Sequence, residues 1–362
     1  MGLNLICALA LFLSFISSYI SPAMAWLLAL CGLAFPFLVF INIFFCLFWI
    51  IRRRYLALIS MILLVLSYNQ ILSTFQVHFQ KSFERPAPAL KIMSYNVPLF
   101  DLYNSTHDKS TRDQILDLVV HEKPDILCLQ ECYAPSQGKY NALDTLLRRM
   151  NALDSGRVYS RYNQLTPLGK QGSQTGSVIF TCLPVSGEGR VPYPSKSRNI
   201  SSWTDVIWNR DTLRLFDIHL QSIGFSLEDY QFIAALSEDT TVDDMQGSLH
   251  ILSRVNRAFI KRSHQADAVA EAIAQSPHPV LVCGDFNDTP ASYAYTKISN
   301  NLVDAFRESG YGFAKSYAGA FPSFRIDFIL HDRRYAATGY HSLRARLSDH
   351  YPIVAYLFPV KK

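Results

Sequence analysis

Residues Val280 to Pro290 read Val-Leu-Val-Cys-Gly-Asp-Phe-Asn-Asp-Thr-Pro. Four apolar residues without a polar break predict a strand buried on both faces, which the glycine then ends. Asp285 and Asn287 follow two apart at its mouth, where a carboxylate and an amide can share one small volume. An ordinary strand followed by an Asx-type turn would give the same local pattern, so its company elsewhere in the chain decides.

Other segments repeat the design. Lys91–Asn96 ends in Asn96, Asp125–Glu131 in Glu131, and Leu213–His219 in His219. Arg325–Leu330 carries Asp327 inside an apolar run, and Ser348-Asp349-His350-Tyr351-Pro352 introduces a last strand, Ile353–Phe358. In order and spacing these segments resemble the endonuclease/exonuclease/phosphatase superfamily, which includes pancreatic deoxyribonuclease, exonuclease III, neutral sphingomyelinases and inositol polyphosphate 5-phosphatases. The resemblance runs from about Lys91 to the C-terminus.

Composition divides the chain of 362 residues. Residues 1–80 carry three charged side chains only, Arg52, Arg53 and Arg54, although hydrophobic residues make up 49% of the whole chain. Of the formal charge of +5, almost all arises before residue 86: beyond Arg85 there remain 29 basic and 28 acidic residues. A nearly neutral C-terminal part lacks the basic footprint of a protein that binds long duplexes. The seven cysteines show no Cys-x-x-Cys spacing and read as small buried hydrophobes, not as a disulfide framework.

The uncharged N-terminal runs predict a bundle of transmembrane helices within residues 1–78, with three spans at about 3–20, 26–51 and 55–72. The Arg52–Arg54 cluster is expected on the cytoplasmic side, which puts the rest of the chain on the periplasmic or extracellular face of a membrane, for a bacterium the inner membrane. A rival reading makes the first span a cleaved signal peptide ending at Ala23-Met24-Ala25. Residues 79–90, with Pro86 and Pro88, read as a short stiff linker to a catalytic domain over 91–362.

Within that domain, Thr111–Glu122 and Asn141–Leu153 show helical periodicity, and Leu165–Thr175 reads as a mobile polar loop before a strand at Gly176–Cys182. Ser248–Gln275 predicts one long helix or two, with Arg254, Arg257, Lys261, Arg262 and His264 on a solvated face. Glu238–Asp244 reads as an acidic loop. The alternation predicts an α/β fold, and the resemblance implies two facing mixed sheets flanked by helices, a four-layer α/β/β/α sandwich.

Phosphoester hydrolysis needs charge neutralised on phosphoryl oxygens, a water deprotonated and a leaving oxygen stabilised. A site of Glu, Asp and Asn oxygens suits Mg²⁺ or Mn²⁺. Glu131 is the first candidate ligand, with Asn96 and Asp349 beside it. Asp285 is the candidate base, and the resemblance implies that Asn287 orients water or phosphate and that Asn96 orients metal or phosphate. His350 is expected to pair with Asp327 and stay cationic, and His219 resembles a second family histidine that binds phosphate or donates a proton. No acidic partner for His219 is identified, and Val97-Pro98 stands where many relatives place a polar residue. The expected activity is a metal-dependent phosphodiesterase of nuclease type, tethered to the bilayer and without a protein partner. Its substrate would be nucleic acid or a lipid headgroup. A phospholipid-directed phosphodiesterase or phosphatase, sphingomyelinase-like or phosphoinositide-phosphatase-like, and a non-catalytic exported scaffold, are the alternatives.

Overall fold

The computed structural model describes residues 1–78, 87–103, 106–136, 141–153, 156–169, 172–238, 245–319 and 324–360. Most of the expected linker (79–86) and of the acidic loop (239–244) lies outside the described residues.

Five helices come first: α1 (Gly2–Ser17), α2 (Pro22–Leu33), α3 (Phe35–Ile51), α4 (Ala57–Leu66) and α5 (Tyr68–Thr74). They break the expected spans into shorter helices. Among the described residues no single helix is long and apolar enough to cross a membrane; the pairs α2–α3 and α4–α5 reach that length and composition only together, bent by 58° and 66°. Pro36 accounts for the first bend, because it has no N–H to give and its ring would meet the carbonyl of Gly32 one turn earlier. Inside the bundle Leu11, Phe35 and Val39 form an apolar core. Polar side chains bridge the helices within it: Asn4 Nδ2 donates to Ser60 Oγ (3.0 Å), Ser60 Oγ to Asn42 Oδ1 (3.0 Å), and Asn42 Nδ2 to the Cys7 carbonyl (3.1 Å). The outward face is apolar, with Ile6, Phe37, Phe44 and Ile51 exposed.

The short strand β1 (Gln76–Val77) leads to β2 (Leu90–Asn96), α6 (Thr111–Glu122), β3 (Ile126–Ala134), α7 (Ala142–Leu153), β4 (Ser160–Leu168), β5 (Ser173–Thr181), β6 (Val185–Arg190), β7 (Ser202–Trp208) and β8 (Asp211–His219). There follow α8 (Leu227–Glu238), α9 (Met245–Ala274), β9 (Val280–Asp285), α10 (Tyr293–Ile298), β10 (Val303–Asp304), α11 (Ala305–Ser309), β11 (Tyr311–Gly312), β12 (Asp327–His331), β13 (Tyr335–Ser342) and β14 (Ile353–Pro359). Two six-stranded mixed sheets result, ordered β13-β14-β2-β3-β5-β4 and β10-β12-β9-β8-β7-β6.

The strand β9 shows why the apolar run reads as doubly buried. Leu281 and Cys283 enter the core between the sheets, against Ile92, Ile126 and Cys128 of the first sheet. Val280 and Val282 face the other way, against Ala266 and Val269 of α9. Each such wholly buried aliphatic side chain contributes roughly 1.5–3 kcal/mol. The first sheet is covered in turn by α6 and α7, through Ile115, Val119, Leu143 and Leu146. This is the four-layer α/β/β/α sandwich. Gly284 does not end β9: it pairs with Phe328, and the strand runs on to Asp285.

Two further readings change. Of the polar stretch, residues 165–168 and 173–175 belong to the paired strands β4 and β5, whose register runs from Ser160–Thr181 to Leu168–Ser173. An edge strand with one partner needs no apolar alternation on its open side, which hid it. Arg262 is no solvated cation either. It is 2% exposed, its Nε donates to the Gln221 carbonyl (2.9 Å), and its Nη1 pairs with Asp288 (2.8 Å).

Candidate active site

Three neighbouring strands of the second sheet set one row of side chains. Parallel pairing of β8 and β9 places His219 beside Asp285, and antiparallel pairing of β9 and β12 places Asp327 on its other side. From the first sheet, Asn96 ends β2 in register with Gln130. Glu131 follows at a bulge of β3 with φ 53°. A left-handed backbone at a bulged glutamate costs on the order of 1–3 kcal/mol, and it turns the side chain out of the sheet toward Asn96 and His219.

Contacts close the gap between the sheets. Asn96 Nδ2 donates to Asp285 Oδ2 (3.0 Å) and Glu131 Oε1 (3.2 Å). Asn287, itself left-handed at φ 52°, donates its backbone N–H to Asp285 Oδ1 (2.7 Å) and its Nδ2 to Asp285 Oδ2 (2.9 Å). Asparagine tolerates that conformation better than most residues. His350 Nδ1 lies 2.9 Å from Asp327 Oδ2, and its Nε2 lies 3.7 Å from Asp285 Oδ2. His219 Nε2 lies 3.3 Å from Glu131 Oε1 and 4.0 Å from Asp285 Oδ2. Seven of the eight expected residues therefore meet in one place. The eighth, Asp349, stands at the rim with an exposed carboxylate that accepts from Ser348 Oγ (3.3 Å).

Asp285 is wholly buried, and desolvation pushes its carboxyl up to about 6, with the charge on His350 pulling the other way. Burial opposes the charge on His350, yet Asp327 and Asp285 hold its imidazole well above the usual range. His219 is raised too: burial works against it, and the bond to Glu131 more than offsets that. Glu131 is brought down to about 2, the His219 bond and charge overcoming desolvation. Its side chain still exposes 34% of its surface, so it opens onto solvent where Asp285 does not.

The residue the sequence did not reveal is Asn199. Its Nδ2 lies 2.8 Å from His219 Nε2 and donates to the Leu220 carbonyl (2.9 Å), while the acidic neighbour of that same nitrogen is Glu131. It comes from the irregular stretch between β6 and β7, which has no periodicity to flag it. A second buried acid, Asp217, lies two residues before His219 and accepts from Gln130 Nε2 (2.6 Å).

The donor set fits a hard cation at Glu131 and Asn96. Asn96 Oδ1 is buried with no hydrogen-bond partner among the described residues, although its Nδ2 serves two carboxylates. A partnerless buried oxygen beside an open carboxylate is what an oxygen-coordinated divalent ion requires. Asp285, Asp327 and His350 also place ligand-type atoms within 4.8 Å of one another. There the cationic imidazole already compensates both carboxylates, so that group is better satisfied as a proton-sharing chain.

Comparison with known proteins agrees with this geometry. Residues 93–350 match the Endonuclease/Exonuclease/phosphatase family, and residues 1–74 match a domain of unknown function, DUF8431. No curated protein matches the chain. Among solved structures, an endonuclease/exonuclease/phosphatase from Beutenbergia cavernae is similar, with TM-score 0.53 and 18% identity over 76% of this chain and 72% of that one. A family protein from Bacteroides thetaiotaomicron gives 0.53 and 17% over 76% and 98%. The human Nocturnin catalytic domain with bound sulfate gives 0.52 and 15% over 76% and 97%. At these identities the likeness is one of fold. The family match covers well over half of the chain and all eight expected site residues, and on it the chain belongs to the endonuclease/exonuclease/phosphatase family.

Proposed function

We propose that this chain is a divalent-cation-dependent phosphoester hydrolase, with phosphodiesters as the expected substrates, held at a membrane by residues 1–78. The observation that carries the reading is Asp285: a buried carboxylate near pKa 6, fixed by three donated hydrogen bonds and flanked by His219 and His350, both with raised pKa. A base poised near neutrality takes a proton from water and can return it. Asn96 and Asn287 fix the carboxylate so that no reorganisation is needed when that proton arrives. His350, oriented by Asp327, places an N–H where charge develops on phosphoryl oxygens, and His219 lies beside it against Glu131. Glu131 and Asn96 Oδ1 would hold Mg²⁺ or Mn²⁺, which when bound supplies charge neutralisation on the phosphoryl group. Asp349 joins at most from the rim.

The membrane reading is supported by the apolar outer face of the helices and by the two bent pairs. Counting the pairs as spans keeps the catalytic domain opposite the Arg52–Arg54 face, since that cluster lies between them. The test uses the full chain in detergent with bis(p-nitrophenyl) phosphate and p-nitrophenyl phosphate, with and without EDTA. The expected result is metal-dependent turnover, reduced by about 10³-fold or more in Asp285→Asn, since the amide cannot accept the proton. Turnover that survives EDTA, or a fully active Asp285→Asn, would overturn the reading, as would no turnover of either ester.

A further inference from the structure

A large cleft that shares no residue with the catalytic row lies between the helical bundle and the β10–α11 segment. It measures about 660 Å³, room for a small polar ligand, with Tyr19, Asn69 and Gln70 on one wall and Asn301, Arg307 and Arg333 on the other. Its level follows from the bundle. α1 and α3 run antiparallel, Asn42 Nδ2 reaching the Cys7 carbonyl and Gly32 approaching Ser17, so Ser17 and Phe35 mark one end and Arg52–Arg54 the other. Tyr19 and α5 belong to the first end, joined by Gln70 Nε2 donating to Tyr19 Oη (3.3 Å). Tyr19 and Tyr68 are more than half exposed there, as in an aromatic belt at the depth of lipid headgroups.

Two observations point to an occupant. Gln70 is 5% exposed, and its Oε1 has no hydrogen-bond partner among the described residues. A buried amide oxygen in that state needs a donor from outside the chain. The cations of the opposite wall lack counter-charges as well. Arg307 Nη2 donates to the neutral Asn69 Oδ1 (3.4 Å), and neither Arg307 nor Arg333 has an ion pair among the described residues. The acids beside them are already engaged, Asp304 by Arg325 and Glu308 by His331 Nε2 and the Ala337 N–H. Two guanidinium groups and an orphaned amide oxygen lining one cleft match a phosphodiester that also carries a hydroxyl donor. We propose that the cleft binds, without cleaving it, the headgroup of an anionic phospholipid of phosphatidylglycerol type, with its phosphate on Arg307 and Arg333 and a hydroxyl on Gln70 Oε1. Such a lipid joins the two parts of the chain, because one wall comes from the bundle and the other from the catalytic domain. This rests on the reading of residues 1–78 as a membrane module and is independent of the chemistry assigned to Asp285.

The experiment uses the full chain in dodecyl maltoside micelles and counts bound lipid by native mass spectrometry. Phosphatidylglycerol is compared with phosphatidylcholine, which keeps the phosphate but has no hydrogen to donate, and with glycerol 3-phosphate, which keeps the polar groups without the chains. One phosphatidylglycerol per chain is expected, held about tenfold or more tighter than either. The double variant Arg307→Ala, Arg333→Ala should weaken it by about tenfold or more, as the loss of charge-assisted hydrogen bonds does. The pair Arg148→Ala, Arg257→Ala, which removes the same charge from exposed positions elsewhere, should leave it unchanged. Thermal midpoints in micelles without added lipid show that both variants fold; should the first not, Arg333→Ala alone, on an exposed side chain, carries the same test with an expected loss of about threefold. Equal affinity for phosphatidylcholine or for glycerol 3-phosphate would overturn the assignment, and so would equal losses in the two double variants. Those results concern the cleft when the chain resists alkaline carbonate in native membranes; a chain washed free without detergent sinks the membrane reading, and this inference with it.

Discussion

Asp217 offers a quantitative test that needs no substrate. It is buried between the sheets, and desolvation pushes its carboxyl from the ordinary 3.8 up to about 8, against the bond from Gln130 and the charge on His219. Its Oδ2 and the Oε1 of Gln130 are both buried without partners among the described residues, while their sister atoms are already joined at 2.6 Å. A proton on Asp217 can close that acid–amide pair. Below pH 3.8 the group is protonated in both states. Between 3.8 and about 8 the folded chain keeps a proton that the unfolded chain releases, so stability falls as pH rises, and above about 8 the loss is complete. Roughly 3 pH units separate 3.8 from neutrality, at about 1.4 kcal/mol each, so folding at pH 7 carries a penalty of about 4 kcal/mol as an upper bound. Asp217→Asn has the shape of the neutral form and no proton to bind. Its thermal midpoint relative to wild type, measured from pH 5 to about pH 9.5, should climb on the order of 3 °C per pH unit and level off above about 8. A difference that stays flat with pH, or that falls, would refute the buried neutral acid.

Two other substitutions probe how the site is held. Arg325→Met strands Asp304, which Arg325 Nη2 pairs at 2.7 Å with both side chains fully buried, so a loss of about 3–5 kcal/mol is expected in denaturation by urea; an unchanged midpoint would contradict the pairing. Gly284→Ala puts a Cβ 2.0 Å from the Ile218 carbonyl at φ 133°, which forces β8 and β9 apart between His219 and Asp285. We expect about 3 kcal/mol of lost stability and a collapse of kcat in p-nitrophenyl ester hydrolysis; wild-type kcat would show that the row tolerates widening.

How much of this was written in the chain depends on the range of the interactions. The apolar run 280–283 announces itself because both its faces are buried, and Thr111–Glu122 is recovered to the residue because its pattern is local. The site tips are legible for a related reason: each is a polar residue closing an apolar strand. Long-range partners leave no such trace. Arg325 was read as part of a strand, yet β12 begins at Asp327, and Arg325 is turned into the helical bundle with its Nη2 donating to the Ser73 carbonyl (2.6 Å), 252 positions away. Arg262 looked like one cation in a solvated stripe because nothing local marks Asp288 as its partner. The acid at His219 is Glu131, well before it in the chain and on the facing sheet, and the amide beside it, Asn199, lies in a segment without a pattern.

These hidden contacts also join the two parts of the chain that composition had separated. The loop that carries Asn287 continues through Asp288, held by Arg262, to Ala291, which packs into the bundle core with Leu11, Phe35 and Val39. The approach is close: a Cβ on Gly32 of α2 would lie 2.9 Å from the Ala291 carbonyl. On the other side of Asp285, the start of the Asp327 strand is tied to α5 through Arg325 and Ser73, and Tyr295 bonds both Ser73 (3.1 Å) and Asp304 (2.8 Å). The backbone on either flank of the base is thus anchored on residues 1–74. Removing those helices would uncover the buried Arg325–Asp304 pair and free the Asn287 loop, so a fragment beginning after them would lose geometry as well as an anchor. The helices belong to the catalytic unit in the physical sense that they hold two of its residues in place, whatever surface they rest on.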